Sequence, residues 1–212
     1  MTRLKRTKIP QSVVKRLTKY LTFVQGLRMS GVEWVSSQDV ADALGMTSST
    51  VRQDLSHIDF HGISKRGYET RGFHKVLAKV LGADTVWNMI VVGAGNLGKA
   101  LALHEEFPRR GYNICGIFDN DPRKMGRKVG RFAVQDIRDM PRFISNGKID
   151  VGIVAVPASA AQSVADMLII ARIRGILNMT LTHVVAPKHI VVIDSRIVAN
   201  LFELSHAITA AR

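Results

Sequence analysis

The chain has 212 residues, 46% hydrophobic but only 6% aromatic, which is enough for a core built mainly from aliphatic side chains. A single cysteine excludes an intrachain disulfide framework, and no signal-peptide pattern or run of about 18 apolar residues is present, so a soluble cytoplasmic protein is expected. The formal net charge of +13 is unevenly spread: residues 1–80 carry 14 Lys and Arg against 6 Asp and Glu, residues 81–212 carry 16 against 11, and nucleic acid is the expected anionic partner.

Residues 1–8 read as a basic arm without apolar periodicity. From Pro10 the spacing of Val13, Leu17, Tyr20 or Leu21, Val24 and Leu27 predicts an amphipathic helix, with the proline suited to its first turn. Glu33-Trp34-Val35 is a short extension, and Ser36 followed by Asp39 is an N-cap signal for a helix that ends at Gly45. Thr47 caps a second helix reaching His57, so the pair reads as a helix-turn-helix. In that second helix Val51, Leu55 and Ile58 share a core face. Thr47, Ser48, Ser49, Thr50, Arg52, Gln53, Ser56 and His57 are the candidate DNA contacts: hydroxyls suit phosphates, Arg52 can fork onto guanine and Gln53 can read adenine. Gly62 to Tyr68 reads as a β-turn wing, with Lys65, Arg66 and Tyr68 as further DNA contacts.

A helix from Phe73 to Leu81 bridges to a region where strands and helices alternate. Strands are expected at 88–92, 113–118, 151–156, 175–177 and 190–193, and helices at 97–107, 137–145, 158–172 and 197–211, the rhythm of a doubly wound, Rossmann-like parallel sheet. Gly93, Ala94, Gly95, Asn96, Leu97 and Gly98 form a G-x-G-x-x-G turn between strand and helix, the context that makes this motif a dinucleotide signal. Asp119 ends the next strand 21 residues after Gly98, where a carboxylate accepts ribose hydroxyls and repels a 2′-phosphate. NAD(H) is therefore favoured over NADP(H), a preference weakened by the nearby Arg123, Lys124, Arg127 and Lys128. Val156 and Pro157 at one strand end and Asn178 at the next are further candidate cofactor contacts, with a loop proline and a capping amide as the plainer readings.

No His–Asp or Ser–Lys arrangement stands at a strand end, and no Cys/His cluster has metal-ligand spacing, so neither catalytic nor metal-binding residues are assigned. The three domains expected are 1–80 for DNA binding, 81–195 for the dinucleotide, and a C-terminal helix over 196–212.

The whole chain resembles Rex, the bacterial redox-sensing transcriptional repressor family. The residues that carry the resemblance include Ile9-Pro10, Lys15-Arg16-Leu17, Ser36-Ser37, Val51 to Ser56, Lys65 to Tyr68, Val92 to Gly98, Phe118 to Pro122, Val156-Pro157-Ala158, Ala161-Gln162 and Ile176-Leu177-Asn178. The resemblance implies a homodimer on palindromic operator DNA, a winged helix joined to a Rossmann domain that senses NADH/NAD+, and release of DNA on NADH binding. It also implies that the C-terminal helix packs into the partner subunit. Thr22, His104 and Arg196 depart from the family, standing where its members carry an Arg, a Tyr and an Asp linked to the redox switch, and the Phe60–Ile63 segment lengthens the wing by about two residues. Three alternatives stay open: a divergent DNA-binding regulator insensitive to NADH or answering another nucleotide, a CoA-binding or other nucleotide-binding protein, and an NAD-dependent enzyme with an appended basic domain.

Overall fold

The computed structural model describes residues 9–210, so the expected basic arm at 1–8 and the last residues of the C-terminal helix lie outside the described residues. The chain divides into two compact units that meet between Thr85 and Val86.

In the first unit α1 (Gln11–Met29) buries Val13, Leu17, Tyr20 and Val24, which recur every three or four residues on one face. The two-residue strand β1 (Trp34–Val35) leads into α2 (Ser37–Leu44). Ser36 Oγ accepts the Asp39 N–H while Asp39 accepts the Ser36 N–H, a complete capping box, and Gly45 closes the helix in the left-handed region at φ 66°. Thr47 caps α3 (Ser48–Ser56) through its hydroxyl. The wing follows: β2 (Tyr68–Glu69) pairs antiparallel with β1, and an Ile63–Gly67 bridge closes a turn with Lys65 at φ 62°. Gly67 is obligatory there, since at φ 90° a Cβ would stand 2.4 Å from the Val35 carbonyl oxygen. α4 (Thr70–Leu81) begins three residues before the expected start and contributes Phe73 and Leu77 to the shared core.

The second unit is built on a seven-stranded sheet of β3 (Trp87–Val92), β4 (Tyr112–Asp119), β5 (Lys128–Val129), β6 (Phe132–Asp136), β7 (Val151–Val154), β8 (Gly175–Asn178) and β9 (Val191–Asp194). Its spatial order is β5-β6-β4-β3-β7-β8-β9, parallel except for β5, which pairs antiparallel with β6. The chain leaves β3 in one direction to β4 and β6, then crosses to β7 on its other side. The strand order therefore reverses at β3, whose carboxyl end is where ligands bind in such sheets. β3, β4 and β7 have buried, aliphatic inner stretches because helices cover both faces.

Several expected elements differ. The helix predicted over 97–107 is broken into α5 (Asn96–Ala102) and α6 (Glu106–Arg109); Pro108 has no N–H for an interior helical bond and sits instead in the first turn of a new helix. The β5–β6 hairpin was not anticipated, because two short strands rich in charge lack a period long enough to register. Its two-residue Gly130-Arg131 connection, with Gly130 at φ 57°, is the signal that could have found it. The helices predicted at 137–145 and 158–172 each open with a 3-10 turn, leaving α7 (Met140–Gly147) and α8 (Ala161–Ile170). The strand predicted to reach Val156 stops at Val154. The last helix, α9 (Ile197–Ala210), is exposed at every position although it carries Ile197, Leu201, Phe202, Leu204 and Ile208.

Candidate functional site

On α3 the residues divide by face. Val51, Asp54 and Leu55 are buried, while Ser49, Arg52, Gln53, Ser56 and the C-cap His57 are exposed together. Ser48 and Thr50 are half-buried, and Thr47 and Thr50 share a 2.9 Å hydroxyl bond at the helix start. Arg52 leans on α2, donating to Ser37 Oγ at 3.1 Å. In the wing, Lys65 is exposed and the Arg66 guanidinium lies 3.9 Å over the Trp34 ring, a cation–π contact that fixes the wing's cation against β1. Tyr68 departs from its sequence assignment. Its ring is buried in a stack with Phe60 and Phe73, at centroid distances of 5.6 and 5.3 Å, so it anchors the wing rather than facing outward.

Behind the exposed face of α3 lies a network that sequence reasoning missed. Asp54, 1% exposed, accepts Arg16 Nε and Nη2, both at 2.6 Å, and the Tyr20 hydroxyl, also at 2.6 Å. Burial alone would raise the Asp54 pKa, but the bonds from Arg16 and Tyr20 outweigh it and hold the carboxyl below the usual carboxylate range. The Arg16 guanidinium is pushed up by the same bond, and the Tyr20 phenol by its burial beside Asp54. The partners lie 34 to 38 residues apart, so no local pattern shows the pair.

In the second unit the glycine turn packs against two strand ends. Gly93 has φ 105°, and a Cβ there would stand 2.3 Å from the Ala155 carbonyl oxygen and 3.0 Å from Val156 Cγ1. A Cβ on Gly98 would stand 1.8 Å from the Gly93 carbonyl oxygen. These two glycines serve the protein's own close approach. Gly95 is different: a Cβ would meet nothing within 4 Å, and Gly95, Asn96 and Leu97 are exposed while Gly93, Ala94 and Gly98 are buried. The open space at Gly95, beside the carboxyl end of β3, fits a ligand that approaches the backbone closely.

Asp119 reaches back to this turn. It is 5% exposed; its Oδ2 accepts the Ala94 N–H at 2.7 Å and Lys124 Nζ at 2.9 Å, and its Oδ1 accepts the Asp121 N–H at 2.9 Å. Burial opposes the charge, but the Lys124 bond and the two backbone donors outweigh it, so the carboxyl is held below its ordinary range. The structure thus brings Gly93–Gly98, Asp119 and Val156 to one place, with exposed Pro157 following Val156. Asn178 is present only as support. It is 0% exposed, its amide donates to the Thr182 carbonyl and Asp194 Oδ1, and its oxygen accepts the Thr180 N–H and hydroxyl. All four hydrogen-bonding positions are used, which corrects the expectation of a cofactor contact and leaves the capping-amide reading.

Thr22 bonds within α1 to the Thr18 carbonyl, His104 stacks on Phe107 at 4.8 Å, and Arg196 donates to Asp194 at 3.0 Å. Cys115 lies half-buried within β4, where burial pushes its thiol pKa up. Among the described residues no three His, Cys, Asp or Glu side chains are grouped to hold a metal ion, and no helix is long and apolar enough to cross a membrane.

Comparison with known proteins matches both units. The family described as "Putative DNA-binding protein N-terminus" matches residues 8–56, and that described as "CoA binding domain" matches residues 84–182. The chain is 38% identical over 198 residues to the redox-sensing transcriptional repressor Rex of Carboxydothermus hydrogenoformans, covering 93% of this chain and 95% of that one. The Rex of Clostridioides difficile is 34% identical over 198 residues, covering 93% and 94%. Among solved structures, RSP, a Rex-family repressor, is 34% identical with a TM-score of 0.89, covering 97% of this chain and 96% of that one. RSP in complex with β-NAD+ and operator DNA gives a TM-score of 0.91 at 33% identity, covering 97% and 94%, and RSP in complex with β-NADH gives 0.88 at 34%, covering 97% and 96%.

Proposed function

Because the chain belongs to the Rex family of redox-sensing transcriptional repressors, we propose that it binds operator DNA through its first unit and NAD(H) through its second, and releases the DNA when NADH binds. It is a regulator and not an enzyme, as its relatives are named. The observation that carries the nucleotide half is the open space at Gly95 beside a glycine turn clasped by Asp119.

The exposed Thr47, Ser49, Arg52, Gln53, Ser56 and His57, with the half-buried Ser48 and Thr50 at the helix start, meet the major groove, and Lys65 and Arg66 on the wing meet the backbone or minor groove. The dinucleotide lies along Gly93–Gly98 with Asp119 at its ribose end and Val156 and Pro157 beside it. NAD+ and NADH differ by a hydride and by the ring's positive charge, and that difference is the signal. A ligand shifts an equilibrium only through unequal affinity for its two states, so NADH must favour the DNA-released arrangement, with a coupling of about 1–3 kcal/mol. The DNA-binding unit ends at the Thr85–Val86 boundary, the dinucleotide unit follows it, and the C-terminal helix over 196–212 serves assembly. The exposed apolar surface of α9 buries against a second copy of the chain, making a cytoplasmic homodimer with the C-terminal helix swapped.

The test is an anisotropy titration of labelled operator DNA, selected from a random duplex pool, with saturating NAD+ or NADH. NADH weakens binding by about 5- to 150-fold relative to NAD+. Equal affinities would refute redox sensing and leave a DNA-binding regulator whose altered Thr22, His104 and Arg196 no longer transmit the signal.

A further inference from the structure

Two exposed arginines of the first unit are held by residues of one short segment. Arg66, on the wing, lies 3.9 Å over the Trp34 ring, and Arg52, on α3, donates to Ser37 Oγ at 3.1 Å. The stretch between Trp34 and Ser37 is itself fixed. Gly67 packs so closely on it that a Cβ would stand 2.4 Å from the Val35 carbonyl oxygen and 3.0 Å from Ser36 Cα, and Ser36 closes the capping box of α2. The wing backbone at Arg66 is fixed as well. The Arg66 and Gly67 N–H groups donate to the Ile63 carbonyl at 3.0 and 2.9 Å, and the Ile63 N–H donates to the Gly67 carbonyl at 2.7 Å.

What is left to move at Arg66 is its side chain, and the Trp34 ring restrains it. Ordering a side chain as long as arginine opposes binding, and a contact already made in the free protein removes part of that cost. The kind of contact matters. A carboxylate would hold the guanidinium and cancel its charge, whereas the face of an indole attracts the cation and leaves the charge in place. A guanidinium donates from the edge of its plane, so a ring under it takes up none of its five N–H donors. Among the described residues no carboxylate pairs with Arg66. Trp34 is half-buried and Arg66 is exposed, so the ring is the support and the cation is the group presented.

We infer that Trp34 is a positioning residue for DNA binding, whose indole holds the Arg66 guanidinium ordered and un-neutralised for the phosphate backbone. The inference rests on the DNA-binding reading of the wing. Because Val35 and Ser36 join Trp34 to Ser37, the same segment sets the wing's cation in a fixed relation to Arg52 on α3.

Anisotropy titration of the full chain with the labelled operator duplex, at several salt concentrations, tests it in the wild type, Trp34→Leu, Trp34→Phe, Arg66→Ala and the Trp34→Leu/Arg66→Ala double variant. Trp34→Leu weakens binding by about 3- to 10-fold per wing, the cost of ordering one long side chain, and keeps the wild-type salt slope because no cation is lost. Arg66→Ala weakens binding and lowers the slope by about one. Trp34→Phe keeps an aromatic face and stays within about twofold of the wild type. In the double variant Trp34→Leu adds nothing to the loss caused by Arg66→Ala. Thermal melting shows whether each variant is folded; if Trp34→Leu melts lower, the Arg66→Ala background still separates the two roles, since a merely structural loss persists there. Trp34→Leu binding like the wild type, or weakening the Arg66→Ala variant as much as it weakens the wild type, overturns the inference. An Arg66→Ala variant that binds like the wild type overturns the DNA-binding reading of the wing instead.

Discussion

Arg16→Met is expected to destabilise the DNA-binding unit strongly although Arg16 is not among the proposed DNA contacts. The substitution leaves Asp54 with Tyr20 alone in a pocket where the carboxylate is 1% exposed. Removing one partner of a buried ion pair costs about 3–5 kcal/mol because the other charge stays buried. Arg16 is itself 32% exposed, so solvent screens part of the interaction and the lower end of that range, about 3 kcal/mol, applies. In a unit of this size each kcal/mol lowers the melting temperature by about 4–8 °C, so a fall of about 12–24 °C is expected by circular dichroism. The loss is pH-dependent with a definite sign. The folded-state pKa of Asp54 is held below its unfolded value, so the pair stabilises fully above about pH 4 and loses its contribution as the pH falls through the folded pKa. The gap between wild type and Arg16→Met must therefore shrink in acid. A variant that melts within about 4 °C of wild type at pH 7, or a deficit that stays constant down to pH 3, would refute the reasoning.

Further outcomes follow from the same geometry. Arg52→Ala should cost about 1–3 kcal/mol in specific operator affinity, whereas Lys65→Ala should weaken all duplexes alike and lower the salt slope by about one, both read by anisotropy at two salt concentrations. Retention of specific binding by Arg52→Ala together with Lys65→Ala/Arg66→Ala would displace the proposed DNA surface. Gly95→Ala should fold with an unchanged melting temperature and lose NADH affinity, because its Cβ enters open space, while Gly98→Ala should lose about 1–3 kcal/mol of stability or more through overlap with the Gly93 carbonyl. Equal melting losses in both glycine variants would contradict that division. Phe202→Asp should convert the dimer to a monomer in sedimentation equilibrium, and a dimer that survives it would remove α9 from the interface.

Much of this protein was legible along the chain. The Ser36–Asp39 capping box, the Thr47 cap, Gly45 and the stripe from Val13 to Val24 act within one or two turns, so their spacing places the helices and the exposed face of α3. The Gly98 end of the glycine turn was legible for the same reason, since Gly98 answers to the Gly93 carbonyl five residues before it, whereas Gly93 answers to the distant Ala155 carbonyl. The β5–β6 hairpin escaped because its strands are too short for a period, and the helix expected over 97–107 is interrupted after Ala102, with Pro108 in the first turn of the separate α6.

What only the tertiary structure decided concerns which polar groups are free. Tyr68 and Asn178 have the chemistry of contacts, yet one ring is buried in an aromatic stack and the other amide is saturated by Thr180, Thr182 and Asp194. Arg16 and Asp54 carry no role that local spacing shows, and they form a closed pair across two helices. Asp119 reads as a bare ribose acceptor and is instead shared between Ala94, Asp121 and Lys124. Residue identity and spacing determine what a side chain can bond; the packing of distant segments determines whether that capacity is already used, and in a buried site an unused polar group is too costly to leave to chance.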